Sequence, residues 1–270
     1  MTNAVDTLLV RNPSSGRNSG WDTHNILGVD VWAATCASAV SEIQRVIDDG
    51  QHRKLSFLNA HGANIAHGDP LYCATLKQFT VLSDGIGLDL GARLLYGAAF
   101  PENLNGTDFV PALLSRLQGS KKVALLGARP GVADLAAQKF SENHPHHEFM
   151  VIRDGYFDES ELPKILDNLK SHRPDILLVA FGNPRQEMWI AENCTGEHAS
   201  ICAGVGALFD FMSGVVPRAP QWMIRWRIEW LYRLVLEPRR MWRRYVVGNP
   251  LFLMRIARQK LFGLKSGPRT

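Results

Sequence analysis

Residues 175–187 read DILLVAFGNPRQE. After Asp175 the segment is apolar to Phe181, too short for a buried helix and ended by Gly182-Asn183-Pro184. That reads as a strand buried on both faces, as in a parallel sheet covered by helices. Gly and Pro stop the strand, and Arg185–Asn193 then takes up a helical pattern. Moving outward, the same unit recurs. Residues 122–126 form a buried-type strand, followed by the turn Gly127-Ala128-Arg129-Pro130-Gly131 and a helix over 132–142. Glu148–Arg153 reads as a strand and 159–172 as a helix. Residues 199–205 supply another strand after Asn193. Toward the N-terminus, strands are expected at 25–31, 54–59 and 80–82, and helices at 35–49, 71–79, 87–95 and 107–117. Residues 61–69 read as a polar loop, and Thr107 or Asp108 as the cap of the last helix. This alternation predicts an α/β fold, a Rossmann-like parallel sheet flanked by helices, over residues 21–216. Residues 1–20, rich in Ser, Asn and Gly, are expected to be loose.

From Pro217 the strands cease and a helical appendage is expected over 217–270. Charge makes it distinct. The appendage holds thirteen Lys/Arg against Glu229 and Glu237, a net +11, whereas the other 216 residues hold 17 bases and 24 acids, a net −7. Four of the seven Trp lie here, Trp222, Trp226 and Trp230 at i, i+4, i+8, and so on one helical face. Arg233, Arg240, Arg243 and Arg244 are spaced to share a stripe. Four Arg on one stripe repel unless an anion sits among them, and the guanidinium fork suits paired phosphate oxygens. A basic, Trp-rich end fits an anionic membrane surface or a diphosphate. Nucleic acid is not expected, because no nucleic-acid-binding signature is present and the acidic body opposes a long polyanion.

Hydrophobic content of 46% and charged content of 21% are those of a soluble globular chain. No signal peptide and no apolar run long enough to span a bilayer are read, so a cytoplasmic protein, peripheral on the inner face of the plasma membrane, is expected. Cys36, Cys73, Cys194 and Cys202 lack metal spacing and read as reduced thiols. His61 and His67 have no third ligand nearby, and no D-x-D pair occurs. No metal and no cofactor are expected. In open parallel sheets ligands bind beyond the C-terminal strand ends. Those ends here carry Asn59, Asp84, Gly127-Ala128, Tyr156, Gly182 to Gln186, and Gly204 to Asp210. Asp84 reads equally as a helix cap, and Gln186 and Glu187 as first-turn helix residues. LLGARPG, residues 125–131, is half of a nucleotide-binding turn. A nicotinamide enzyme would need an acidic ribose reader about 20 residues on, and Asp154 lies too far along. A non-enzymatic membrane adaptor would leave the strand-end Asn, Asp and Gln without a role.

LNAHGANIAHGDP (58–70), SDGIGL (83–88), NLNGTDF (103–109), LLGARPG, GNPRQEMWI (182–190) and the long segment from Gly204 to Phe252 resemble, in order, the WecG/TagA/CpsF family of bacterial glycosyltransferases. The resemblance implies an inverting transfer from a UDP-sugar donor to a polyprenyl-diphosphate-linked saccharide. It places the family's catalytic Asp at Asp84, its catalytic strand-end Asn and Gln at Asn59 and Gln186, and appendage arginines at Arg233, Arg240 and Arg243. From their strand-end positions Gly127, Ala128, Gly182, Gly204 and Gly206 would cradle the nucleotide, Tyr156 would stack on the base, and Asp210 would accept from ribose. Two positions depart from the family pattern: Phe57 stands where Thr is frequent and Asn103 where Arg is frequent. The PENLNGTDF wording resembles exopolysaccharide members and points to UDP-glucose. The alternative donor is UDP-N-acetylmannosamine or its uronic acid. Homo-oligomerisation is left open.

Overall fold

The computed structural model of the chain describes residues 22–226 and 228–263. The expected loose segment, 1–20, lies outside them. One eight-stranded sheet organises the body. Its strands are β1 (Thr23–Ile26), β2 (Val29–Trp32), β3 (Arg53–Leu58), β4 (Thr80–Ser83), β5 (Lys122–Gly127), β6 (Glu148–Arg153), β7 (Ile176–Ala180) and β8 (Ile201–Gly204). They lie in the order β1-β2-β4-β3-β8-β7-β5-β6, parallel except for the β1–β2 pair. The helices are α1 (Cys36–Asp48), α2 (Ala60–Gly68), α3 (Pro70–Leu76), α4 (Ile86–Tyr96), α5 (Gly106–Arg116), α6 (Val132–Asn143), α7 (Leu162–His172), α8 (Arg185–Asn193), α9 (Leu208–Met212), α10 (Gln221–Arg225), α11 (Glu229–Leu236), α12 (Pro238–Trp242) and α13 (Gly248–Phe262). Strand alternation divides the core into two faces. Leu125, Ile176, Leu178 and Ile201 pack on one, and Ala124, Leu126, Leu177 and Val179 on the other. All five residues of β7 are buried, as the opening stretch requires. From β3 the chain steps to β4 on one side and then crosses to β5 on the other. The ends of β3, β4, β7 and β8 therefore frame the crevice where a doubly wound sheet takes its ligand.

Five sequence expectations change. Residues 25–31 are a hairpin, with Leu27 (φ 53°) and Gly28 (φ 96°) at the turn. Positive φ at Leu is uncommon, so the pair gave no turn signal. Residues 61–69 are mostly helix α2, because Ala60, Ala63 and Ala66 bury one face and Asn59 caps the start. Asn105, rather than Thr107 or Asp108, caps α5, its Oδ1 accepting from the Asp108 amide. The three Trp do not share one helix. Helix α10 ends at Arg225 and α11 begins at Glu229. Trp222 and Trp226 are exposed, while Trp230 is half-buried near Tyr245, ring centroids 5.7 Å apart. The arginine stripe is likewise broken, by a second start at Pro238 and a π turn over Arg243–Val247.

The chain then returns to the body. Helix α13 packs against α2 and α4. The Asn64 side chain donates to the Gly248 carbonyl at 2.8 Å, and Arg255 donates to the Asn64 carbonyl at 2.9 Å. Gly91 makes the close approach possible, since a Cβ there would meet the Phe252 ring at 3.1 Å. Phe252 and Ile256 are buried with the body's own core. Phe252→Ala is therefore expected to lower stability by about 3–5 kcal/mol, read by denaturant unfolding. A change within error of zero would show that α13 does not dock. Among the described residues no helix is long and apolar enough to cross a membrane.

Candidate active site

Asn59 and Asp84 end neighbouring parallel strands, and the structure joins them. Asn59 Oδ1 accepts from the Gly62 amide at 3.0 Å, which caps α2 and fixes the direction of the carboxamide. Its Nδ2 then donates to Asp84 Oδ2 at 3.0 Å. Asp84 does not cap α4, whose N-cap is Gly85 with no side-chain bond. The Asp84 turn is held by its own amide, bonded to the Leu58 carbonyl at 2.8 Å, and by the Gly85 amide, bonded to Asn103 Oδ1 at 2.7 Å. Asn103, at a position of departure from the family pattern, thus fixes the backbone beside Asp84. Phe57, at the other, is buried against Gly106 and Phe109, in the core on the face away from Ser56.

Burial pushes the Asp84 carboxyl above the usual range, while the Asn59 donation and the charges of Arg244 and Arg233 pull it down. Those two arginines come from the appendage. Arg233, in α11, also lies over the Phe211 ring at 5.3 Å. Arg244, in the π turn, faces His61 as well. Burial and Arg244 push that imidazole down to about 4, so His61 is neutral at physiological pH. Arg243 is exposed. Arg240 lies on α12, and its side chain is outside the described residues. The appendage also presses carboxylates on the site. Arg218 pairs with Asp108 and lies 3.7 Å from Glu229. Glu229, half-buried, is raised by burial and feels Asp84 and Arg233.

The glycine turns are placed as expected, but several of their amides are already committed. Ala128 N–H donates to the Ala180 carbonyl at 2.9 Å, and Gly127 (φ 121°) approaches that residue so closely that a Cβ would sit 2.7 Å from its oxygen. Gln186 Oε1 accepts from both Gly182 N–H (3.1 Å) and Gly206 N–H (3.0 Å). Gln186 itself is buried, and Gly204 leaves room for it, since a Cβ there would meet its amide nitrogen at 2.8 Å. Gln186 is thus a brace beneath the crevice. The turns give shape, and charge must come from side chains.

Those side chains surround a cavity of about 390 Å³ lined by Arg129, Ala207, Asp210, Val216, Arg233 and Glu237. Arg129 and Asp210 face each other at 3.7 Å. Tyr156, in the turn after β6, stands 67% exposed, its amide held by Asp154 at 2.8 Å. Beneath lies Glu187, fully buried and accepting from Ser56, Tyr72, Asn183 and Gln186. Burial lifts it to about 7. Arg129, His61, Glu229 and Glu187 are site residues to which the sequence gave no role, while Arg244 was expected only as one member of the arginine stripe. Only Glu187 had a visible signal, an acid beside Gln186 in a motif. The others required the path of the appendage or of the turn after β5.

A family model described as Glycosyl transferase WecG/TagA/CpsF family matches residues 24–266. Among curated proteins the chain is similar to an N-acetylglucosaminyldiphosphoundecaprenol N-acetyl-beta-D-mannosaminyltransferase of Bacillus spizizenii, 33% identical over 65% of this chain and 68% of that one. A protein of the same description from Bacillus subtilis is 32% identical over 67% of this chain and 69% of its own length. Another, from Staphylococcus aureus, is 26% identical over 87% and 92%.

Proposed function

The chain belongs to the WecG/TagA/CpsF family of glycosyltransferases, and on that premise we propose that it moves N-acetylmannosamine from a UDP-sugar to an N-acetylglucosaminyl-diphosphate polyprenol. The names of the curated relatives favour this donor over UDP-glucose, toward which PENLNGTDF alone had pointed. The observation that carries the reading is the Asn59–Asp84 pair under two appendage arginines.

Inverting transfer is one displacement at the anomeric carbon. The acceptor hydroxyl attacks from the face opposite the nucleotide, its proton goes to a base, and the C–O bond to the diphosphate breaks with its electrons. Asp84 is the base in this proposal. Its raised affinity for a proton suits it to take one, and Asn59 holds the carboxylate oxygen in place. The departing diphosphate gathers negative charge. Arg233 borders both Asp84 and the cavity, and Arg244 faces Asp84, so they supply the compensating charge. In this reading the displacement runs without a metal, through these arginines, and inversion of an α-linked donor forms a β-linkage. Asp210 would accept from ribose, Tyr156 would stack on the base, and Gln186 would keep the turns at Gly182 and Gly206 in shape. Arg240 and the exposed Arg243 are left for the acceptor's diphosphate or for anionic lipid. Trp222, Trp226 and Val235, each more than half exposed in the basic appendage, suit an interfacial position at the membrane.

A screen of radiolabelled UDP-sugars against N-acetylglucosaminyl-diphosphate polyprenol, with EDTA present, tests the reading. Label is expected to pass to lipid from UDP-N-acetylmannosamine in preference to UDP-glucose. Transfer from UDP-glucose alone would correct the donor, and activity lost to EDTA and restored by Mg²⁺ would refute the metal-free step.

A further inference from the structure

We propose that Glu187 is a positioning residue that ties the donor-side turns after β7 and β8 to the strand that leads into Asn59, through a buried carboxylate bonded to both. The inference rests on the donor reading above.

The Glu187 side chain has no solvent exposure. Its Oε1 accepts from Asn183 Nδ2 at 2.7 Å, Gln186 Nε2 at 2.8 Å and Ser56 Oγ at 3.1 Å. Its Oε2 accepts from the Tyr72 hydroxyl at 3.2 Å. Each of these partners is neutral. Burying a carboxylate costs several kcal/mol unless its lone pairs are filled, and an apolar side chain of similar volume would pack here without that cost. Packing therefore gives no reason for an acid at this position, and the identity of the four partners does.

Ser56 lies on β3, three residues before Asn59. Tyr72 lies on α3, which follows the helix Asn59 caps. Asn183 belongs to the turn after β7, and Gln186 opens α8. Gln186 completes the chain of bonds, because its Oε1 holds the amides of Gly182 and Gly206 while its Nε2 is held by Glu187. The turns after β7 and β8 are thereby fastened to the strand that carries Asn59. Strands β3 and β8 meet at the centre of the sheet, where the two halves of the crevice join. Only a carboxylate accepts from four donors. A glutamine accepts at one oxygen and would turn its own N–H groups toward Asn183 or Gln186. Glu187 touches no part of the cavity, so its effect on a ligand passes through Gln186 and the turns.

The test is UDP titration by calorimetry on the full chain, with donor and acceptor kinetics alongside, for wild type, Glu187→Gln, Tyr72→Phe and Ser56→Ala. Glu187→Gln is expected to keep a cooperative melt, to weaken UDP binding about tenfold or more, the scale of one lost charged hydrogen bond, and to raise the donor KM in proportion. The acceptor KM should hardly move. Tyr72→Phe and Ser56→Ala, each removing one donor, are expected to give the same pattern at smaller size. A lowered melting temperature with unchanged UDP affinity and donor KM would reduce Glu187 to a fold-stabilising residue and overturn the proposal. If Glu187→Gln does not fold, unchanged UDP affinity in both other variants overturns it equally. Failure of the wild type to bind UDP would overturn the donor reading itself.

Discussion

Asp84→Asn is expected to lower sugar transfer about 10²–10⁴-fold, the scale on which a positioned general base acts. UDP binding should stay close to wild type. The substitution is nearly isosteric, so the Asn59 amide still finds an acceptor at residue 84. The turn is held by backbone bonds to Leu58 and Asn103 that the variant leaves intact. What disappears is a carboxylate that burial has made more basic than usual, placed where the strands end. Single-turnover transfer from labelled donor, beside UDP calorimetry, separates the two effects. Activity within a few-fold of wild type would remove Asp84 as base. Loss of UDP affinity in parallel with activity would recast it as a binding residue.

Replacing Arg233 and Arg244 together by Ala is expected to lower kcat by about 10²–10⁴, since each charged hydrogen bond to phosphate contributes roughly 1.5–3 kcal/mol. The pH profile gives a second, independent readout. Both arginines depress the Asp84 carboxyl against the rise caused by burial. Removing them raises it further, and a base must be ionised to work. The acid limb of the rate profile should therefore move to higher pH, and the deficit should be larger at slightly acidic pH than at pH 8. Arg244→Lys keeps the charge and should keep most of the limb position while losing rate, because an ammonium lacks the fork. A deficit that is equal at every pH, with an unmoved limb, would place the arginines away from Asp84. Point variants serve this purpose better than deletion of the appendage. Cutting at Gln221 removes Phe252 and Ile256 from the core and uncovers the apolar faces of α2 and α4.

The order of strands and helices in the body was legible because β7 and its neighbours follow simple rules. A short apolar run with Gly and Pro at its end has one good solution, and repetition of that unit implies a parallel sheet. The N-terminal hairpin escaped because its turn uses Leu27 rather than Asn or Asp. Helix α2 escaped because AHGANIAHG contains two glycines and two histidines, and its helicity comes from burying three alanines rather than from propensity. In the site, Asn59 and Asp84 could be named from the sequence, but their bond could not. It depends on β3 and β4 being neighbours with Leu58 opposite Ser83. The glycine turns were placed correctly as strand ends, yet the availability of their amides is a tertiary fact. Gln186 takes up two of them. The appendage misled most. Spacing along one straight helix grouped Arg233, Arg240, Arg243 and Arg244, whereas breaks after Arg225 and at Pro238 and the π turn set Arg244, facing Asp84, apart from the exposed Arg243. Pro238 was visible as a helix start, but a π turn has no sequence signature strong enough to anticipate.

Asp84, held by Asn59 and faced by appendage arginines, is the proposed base for sugar transfer onto a lipid-linked acceptor. The most direct measurement is label transfer from UDP-N-acetylmannosamine to N-acetylglucosaminyl-diphosphate polyprenol in wild type and Asp84→Asn, side by side. A labelled disaccharide lipid is expected with the wild type and a trace at most with the variant, while both bind UDP. Equal product from the two proteins, or no product from a folded wild type that binds UDP, would contradict it.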